Sequence, residues 1–265
     1  MRIYATTPAL LGPGLDGWEA AREVLAGCRS YVAAPLNAPP PQSLPPNERR
    51  RTSPAIRLGV AAAEIALDVA GEGFDGPASV FASANGDGAV VGAILEALAA
   101  TPQIVSPTQF HNSVHNAPAA YWTIGGGFRA SSTSLGGSDA TFGAALLHAA
   151  ATMAGQRRPV LLCAYDLPLP PPLDAVRPTA APFAVAMVLT PEALISSLAR
   201  LDLRFVSAPA PGPAEPRTAD LLPLYRTNPA ARSLRLLEAL ARGEAERVHL
   251  EQLEDAHVVV DVTPC

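Results

Sequence analysis

SPTQFHNSVHNAPAAYWTIGGGFRASSTSLGGSDATFGAALLHAA, residues 106–150, holds the punctuation that decides the fold. Its first part, 106–116, is polar and rich in Asn and His. An apolar helix ending near Ile124 follows, then a glycine run of Gly125, Gly126 and Gly127. Residues 129–134 read as a short extended run. Gly136 and Gly137 make a tight turn with Ser138 on it. The Ala-rich stretch 139–154 reads as a helix, because alanine loses no side-chain freedom on entering one. The unit is strand, turn, helix, and it presents one hydroxyl at the turn.

The same alternation extends in both directions. Residues 2–6 read as a strand, and Asp16 is placed to cap a helix over 17–26 with Trp18, Ala21 and Leu25 on one face. Ser53 followed by Pro54 is a strong helix start: a capping hydroxyl, then proline where no donor is needed. Ile56, Val60, Ala63 and Leu67 carry that helix to about residue 70. Residues 78–84 read as a buried strand that runs into a Gly-rich turn and a helix to about residue 100. Further buried strands are expected at 160–165 and 183–189. Pro191 predicts a short helix to about 197, and 201–207 a strand. Pro229 predicts a helix to about 241 with Leu234, Leu237 and Leu240 inward, and 247–250 and 258–262 close the chain as short strands. This order gives an α/β fold with helices packed on a mixed sheet.

The chain has 265 residues, 49% hydrophobic and 16% charged, enough to bury a full core. Its net charge of −5 argues against sequence-independent nucleic-acid binding, which needs a basic footprint. No apolar run reaches the roughly 18 residues of a membrane span, and residues 1–8 lack the pattern of a signal peptide. The expected compartment is the cytoplasm. Cys28, Cys163 and Cys265 are odd in number and far apart, which suits a reducing compartment. Cys163 lies in an apolar run and reads as a core thiol. Prolines number 28, roughly twice average usage, and their three clusters at 35–46, 168–182 and 209–223 read as loops.

Four features together resemble the β-ketoacyl synthase N-terminal family, and within it the short chain length factors of aryl polyene and xanthomonadin-type pathways. They are Asn47, Glu48, Arg49, Arg50 and Arg51 leading into Ser53, Pro54, Arg57 and Leu58; the long motif from Ser106 to Ala117; the turn from Thr133 to Phe142; and Asn228, Pro229, Ala230 and Ala231 before a Leu-rich helix. The resemblance implies a truncated thiolase-like layered fold, the ketosynthase N-terminal half, with a mixed sheet flanked by helices. It implies one domain over 1–265, with a core over 1–190 and a helix-and-strand extension over 191–265.

In a working ketosynthase of this family a cysteine occupies the strand-to-helix turn. Here the corresponding position falls at or next to Ser138. A hydroxyl is a far worse acyl acceptor than a thiol of pKa about 8.5, unless a base activates it. The family's two histidines, one in a His-Gly-Thr motif and one before a Phe-Gly-Phe-Gly loop, have no counterpart in the sequence. The resemblance therefore implies a non-catalytic subunit that pairs with a full-length β-ketoacyl-ACP synthase and shapes its acyl tunnel, with an acyl carrier protein as second partner and no cofactor. The family's twofold interface maps to 106–134. Phe110, His111, Asn112, His115, Asn116, Tyr121, Trp122, Phe128 and Arg129 are its candidate interface residues, and Arg49, Arg50 and Arg51 the candidate carrier-protein contact.

Other readings stay open. Ser138 reads first as a helix N-cap. Gly136, Gly137, Ser138, Asp139 and Ala140 also approximate the G-x-S-x-G elbow of serine hydrolases, for which Asp166 or Asp220 with His249 or His257 would complete a triad. A carrier-protein-binding homodimer is a third reading. His111 and His115, four residues apart, could sit on one helix at metal-binding spacing, but no Glu accompanies them, so no metal is expected.

Overall fold

The computed structural model describes residues 1–71, 74, 76–212 and 215–265. The elements run β1 (Arg2–Thr6), β2 (Ala9–Gly12), β3 (Leu15–Asp16), α1 (Trp18–Leu25), α2 (Pro46–Arg51), α3 (Pro54–Ala70), β4 (Ala78–Ala82) and α4 (Gly88–Ala99). Then come α5 (Pro107–Asn112), α6 (Ala117–Gly125), β5 (Ser132–Leu135), α7 (Thr141–Gln156), β6 (Val160–Asp166), α8 (Leu173–Val176), β7 (Phe183–Thr190) and β8 (Ser197–Val206). The chain closes with α9 (Leu222–Thr227), α10 (Leu234–Arg242), β9 (Glu246–Leu253) and β10 (Ala256–Pro264).

All strands join one sheet, in the order β5-β4-β6-β7-β1-β8-β10-β9, with β2 and β3 attached beside β7. β4 is parallel to both β5 and β6, and the remaining pairs are antiparallel. The mixed sheet expected from the sequence is therefore present. β1 and β2 lie against the same strand, β7, with a break at Thr7 and Pro8. Proline has no ladder donor to give. Thr6 mends the break with its side chain: Oγ1 donates to Val188 O at 3.1 Å and accepts from Val188 N at 3.3 Å.

Alternation within the central strands builds two cores. On β6, Val160, Leu162 and Ala164 face one side and Leu161, Cys163 and Tyr165 the other. The first face is covered by α1, α7 and α10, the second by α3 and α6. The result is a layered α/β/α arrangement. Small residues let the helices close on the sheet: α3 buries Ala55, Ala61, Ala62, Ala63 and Ala66, and Gly59 lies directly against the Tyr165 ring, 3.2 Å from where a Cβ would stand. Cys163 is fully buried, as its apolar run implied, and burial pushes its thiol far up.

Ser53 does cap α3, its hydroxyl accepting from Ile56 N at 3.2 Å. Asp16 does not cap α1. Gly17 takes that position at φ 89°, where no side-chain cap forms. The strand before the turn is displaced to Ser132–Leu135, because pairing with β4 runs from Ser79↔Ser132 to Ala82↔Leu135. The helix expected after Pro191 is a turn. Thr190 Oγ1 donates to Glu192 O and Ser197 Oγ accepts from Leu194 N, so side chains take the backbone groups a helix would need. After Pro229 a 3-10 turn (Ala230–Ser233) precedes α10.

Two candidate interface residues belong to the interior. Trp122 is 1% exposed, wedged between Phe81 at 5.8 Å and Phe128 at 4.4 Å between ring centroids. Asn112 is buried as well. Its amide donates to Arg51 O at 2.7 Å and its oxygen accepts from the Tyr121 hydroxyl at 3.3 Å. Trp122 faces the sheet and Asn112 faces α2 and α6, orientations that periodicity alone did not give. Trp122→Ala should therefore destabilise the isolated chain by about 3–5 kcal/mol in urea unfolding. An unchanged midpoint would return Trp122 to the surface.

Candidate functional site

The turn between β5 and α7 is the site the sequence singled out. Ser138 has φ 53°, in the left-handed region that a residue with a Cβ enters only under strain. It opens a 3-10 turn (Ser138–Ala140) that leads into α7. Its hydroxyl does not cap the helix. Thr141 ties the turn instead, donating from Oγ1 to Ser138 O at 2.6 Å and accepting from Gly137 N at 2.9 Å.

Arg177, from the proline-rich loop after β6, covers the hydroxyl. Its Nη1 donates to Ser138 Oγ at 3.3 Å, Nη2 to Asp139 Oδ1 at 2.6 Å and Nε to Asn85 Oδ1 at 2.8 Å. Arg232 holds the other oxygen of Asp139 at 3.4 Å and lies 4.5 Å above the Tyr225 ring. A cleft of about 940 Å³ opens beside the turn, reaching Tyr225, Arg232, Leu250 and Gln252.

Below the turn lies Asp166, at the end of β6 and fully buried. Its Oδ1 accepts from the Ser83 hydroxyl and from Asn85 N, both at 2.8 Å. Its Oδ2 is buried with no partner among the described residues. Burial raises the carboxyl to about 6, opposed by those hydrogen bonds and by Arg177. Asn228 closes the knot: its amide donates to Asp166 O at 3.0 Å and Ala181 O at 2.8 Å, while its oxygen accepts from Ala230 N and Ala231 N.

The hydrolase triad is not assembled. Asp166 binds Ser83 and Asn85 rather than a histidine, and Asp220 is exposed. His249 and His257 pack on each other at 5.1 Å in the β9–β10 hairpin, with His257 Nδ1 against Ala208 O at 2.7 Å. Among the described residues no histidine or carboxylate hydrogen-bonds Ser138. His111 and His115 do not share a helix either, because α5 ends at Asn112 and His115 turns back to Ser83 O at 2.9 Å. Among the described residues there is no cluster of three or more metal-ligating side chains.

The remaining candidates lie around the open edge of the sheet. β5 is its terminal strand, with no strand on its outer side among the described residues. Phe110 is 69% exposed, and His111, His115, Asn116 and Arg129 are exposed too, with Tyr121 and Phe128 half-buried. The sequence reading missed Val114 and Ile124, the latter 80% exposed, and the apolar face of α4 at Val91, Leu95 and Leu98. An apolar helix on its own does not reveal which face lacks a cover. Arg49, Arg50 and Arg51 are not in a loop but on α2. Arg49 donates to Pro41 O at 3.2 Å, Arg50 to Asn47, and Arg51 pairs with Glu48 at 3.2 Å. Arg50 and Arg51 stay exposed.

Asp166 makes stability depend on pH. Its folded carboxyl titrates near 6 against an ordinary value of 3.8, so the fold favours the protonated form. That contribution is fully present below about pH 4 and is lost as pH rises through about 6, by about 3 kcal/mol. Asp166→Asn should flatten the stability profile between about pH 4 and 8 by that amount. Urea unfolding across this range checks it, and parallel profiles for both chains would refute it.

Residues 26–222 match the profile of the β-ketoacyl synthase N-terminal domain. No curated protein matches the chain in sequence. Among solved structures, the chain is similar to the ketosynthase (ApeO) in complex with its chain length factor (ApeC) from Xenorhabdus doucetiae, at 24% identity and TM-score 0.74 over 98% of this chain and 99% of that one. The ishigamide ketosynthase/chain length factor follows at 15% identity and TM-score 0.72, covering 100% and 99%. The AntDE:AntF complex, a type II polyketide synthase carrier protein with its ketosynthase bound to the hexaketide, gives 13% and 0.75, covering 100% and 99%. At these identities the structural likeness establishes the fold. The profile match spans well over half of the chain, and the protein belongs to the β-ketoacyl synthase N-terminal domain family.

Proposed function

We propose that this chain is a non-catalytic, chain-length-factor-type subunit that pairs with a full-length β-ketoacyl-ACP synthase. The observation that carries the reading is the open edge of β5, against which α6 packs with Ile124 80% exposed, together with the exposed Phe110 and Val114. An unpaired strand edge beside apolar surface is a template for another chain. An obligate partner interface commonly buries about 2,000 Å² or more, and a patch of this kind supplies its apolar centre. Two of the similar structures are described as ketosynthases with chain length factors, which supports the same pairing here.

The reading extends to the chemistry of the complex. Ser138 has no base among the described residues, and a guanidinium covers its hydroxyl, so carbon–carbon bond formation falls to the partner. This subunit then bounds the partner's acyl tunnel in polyene- or polyketide-type chain synthesis, with Phe110, Tyr121 and Phe128 as bulky wall candidates. Arg50 and Arg51, exposed at the end of α2, form the contact for an acidic acyl carrier protein. The complex acts in the cytoplasm. Among the described residues no helix is long and apolar enough to cross a membrane. A carrier-protein-binding homodimer would use the same strand edge.

Co-expression with the ketosynthase encoded beside this gene should give one complex on a sizing column. Phe110→Glu and Ile124→Glu should abolish co-elution while shifting the isolated chain's stability by no more than about 0.5 kcal/mol. Separate elution of both wild-type proteins would sink the pairing, and a self-dimer in its place would favour the homodimer. Ser138→Ala should leave thioester turnover by the complex unchanged. Turnover by the chain alone that vanishes in this variant would instead establish a serine enzyme.

A further inference from the structure

A second cleft, of about 470 Å³, opens between the turn that ends α1 and the end of α10. Arg29, Arg217 and Arg242 line it, and Asp220 is the one acid among its lining residues. Such a concentration of cations runs against a chain of net charge −5. Glu246 is the anion the fold provides there. It accepts from Arg217 Nη2 and Arg242 Nη2, both at 2.7 Å, and also from Arg235, so three guanidinium groups share two carboxylate oxygens. Glu238, fully buried beneath them, is already occupied: its oxygens accept from the backbone N–H of Arg217 and Thr218, each at 2.9 Å.

Donors are left over. Arg217 is 57% exposed, and among the described residues its Nε and Nη1 meet no acceptor. Arg242 uses only Nη2, and its Nε is buried without a partner among the described residues. Arg29, half exposed, reaches only the Ala20 carbonyl and the outer fringe of Glu23, at 3.7 Å. Glu246 and Glu238 offset part of this charge, Glu238 lying 3.8 Å from Arg235, while Arg29 and Arg217 keep exposed donors at the cleft. A guanidinium fork matches the oxygens of phosphate in pairs, and Arg217 and Arg242 each give Glu246 one nitrogen, which leaves the rest of each fork for another acceptor.

We propose that this cleft binds a phosphate-type dianion, with Arg29, Arg217 and Arg242 as its ligands. Two sources carry phosphate oxygens: a free phosphate monoester, which is a dianion, and the phosphopantetheine arm of a carrier protein, which is a singly charged diester and falls outside the proposal. Three guanidinium groups against one carboxylate, Asp220, among the lining residues favour the doubly charged monoester. The site stands apart from β5 and from Ser138, so its fate is independent of the ketosynthase pairing.

Cys28 lines the same cleft and is exposed, whereas Cys163 is buried. In a Cys265→Ser chain it is therefore a reporter for a neutral maleimide. Inorganic phosphate should slow its alkylation several-fold relative to sodium chloride of equal ionic strength. In the double variant Arg29→Met, Arg217→Met, at two largely exposed positions, the phosphate concentration giving half-protection should rise about tenfold or more, a loss of about 1.4 kcal/mol. The melting temperature of this variant without phosphate should match the parent's. Three results would overturn the proposal: phosphate protecting no better than chloride, protection that survives in the double variant, or protection by a phosphopantetheinylated carrier protein but not by inorganic phosphate.

Discussion

A carboxylate taken entirely out of water organises this molecule. Asp166 ends the central strand β6, and its Oδ1 fixes the turn after β4 through Ser83 and Asn85. Its backbone carbonyl receives the amide of Asn228, which sets the start of the C-terminal helices. One residue thus joins three segments that are distant in sequence. A buried polar knot is costly unless its members satisfy one another, and here nearly all do. Asp166 Oδ2 has no partner among the described residues, and burial of the carboxyl makes the knot responsive to protonation.

The turn at Ser138 hangs from that knot. Asn85, held by Asp166, in turn holds Arg177, and Arg177 covers Ser138 and Asp139. The left-handed backbone at Ser138 is thereby kept while its hydroxyl is occupied by a donor. A base would have to approach the same hydroxyl from a direction that the guanidinium does not fill. The clamp stabilises the turn, and it presents Ser138 Oγ with a donor, where activating a nucleophile needs a base.

The opposite character appears at the β5 edge. Long open edges are normally blunted by charge, proline or a covering helix. β5 is a short edge of four residues, Ser132, Thr133, Ser134 and Leu135, without charge or proline, and α6 packed beside it leaves Ile124 in water. The far edge, β9, carries Glu246, Arg247 and Glu251 and has a different surface chemistry. The two terminal strands of the sheet thus differ in chemistry, one short and uncharged and the other long and charged.

Sequence alone determined the longer elements and the α/β class, but not β2, β3, α8 or α9. Ser53 and Pro54 began a helix, the apolar runs at 160–165 and 183–189 became the central strands, and Cys163 went to the core, because capping, periodicity and burial act over a few residues. The motif from 106 to 117 and the Gly136–Gly137–Ser138 turn were legible for the same reason. Only the tertiary structure decided which helix faces were covered. It sent Trp122 and Asn112 inward and left Ile124 out, set β5 at the edge, and brought Arg177 from a distant loop onto Ser138. Those outcomes depend on pairings between segments far apart in the chain, and no local pattern encodes which surface a neighbour will take.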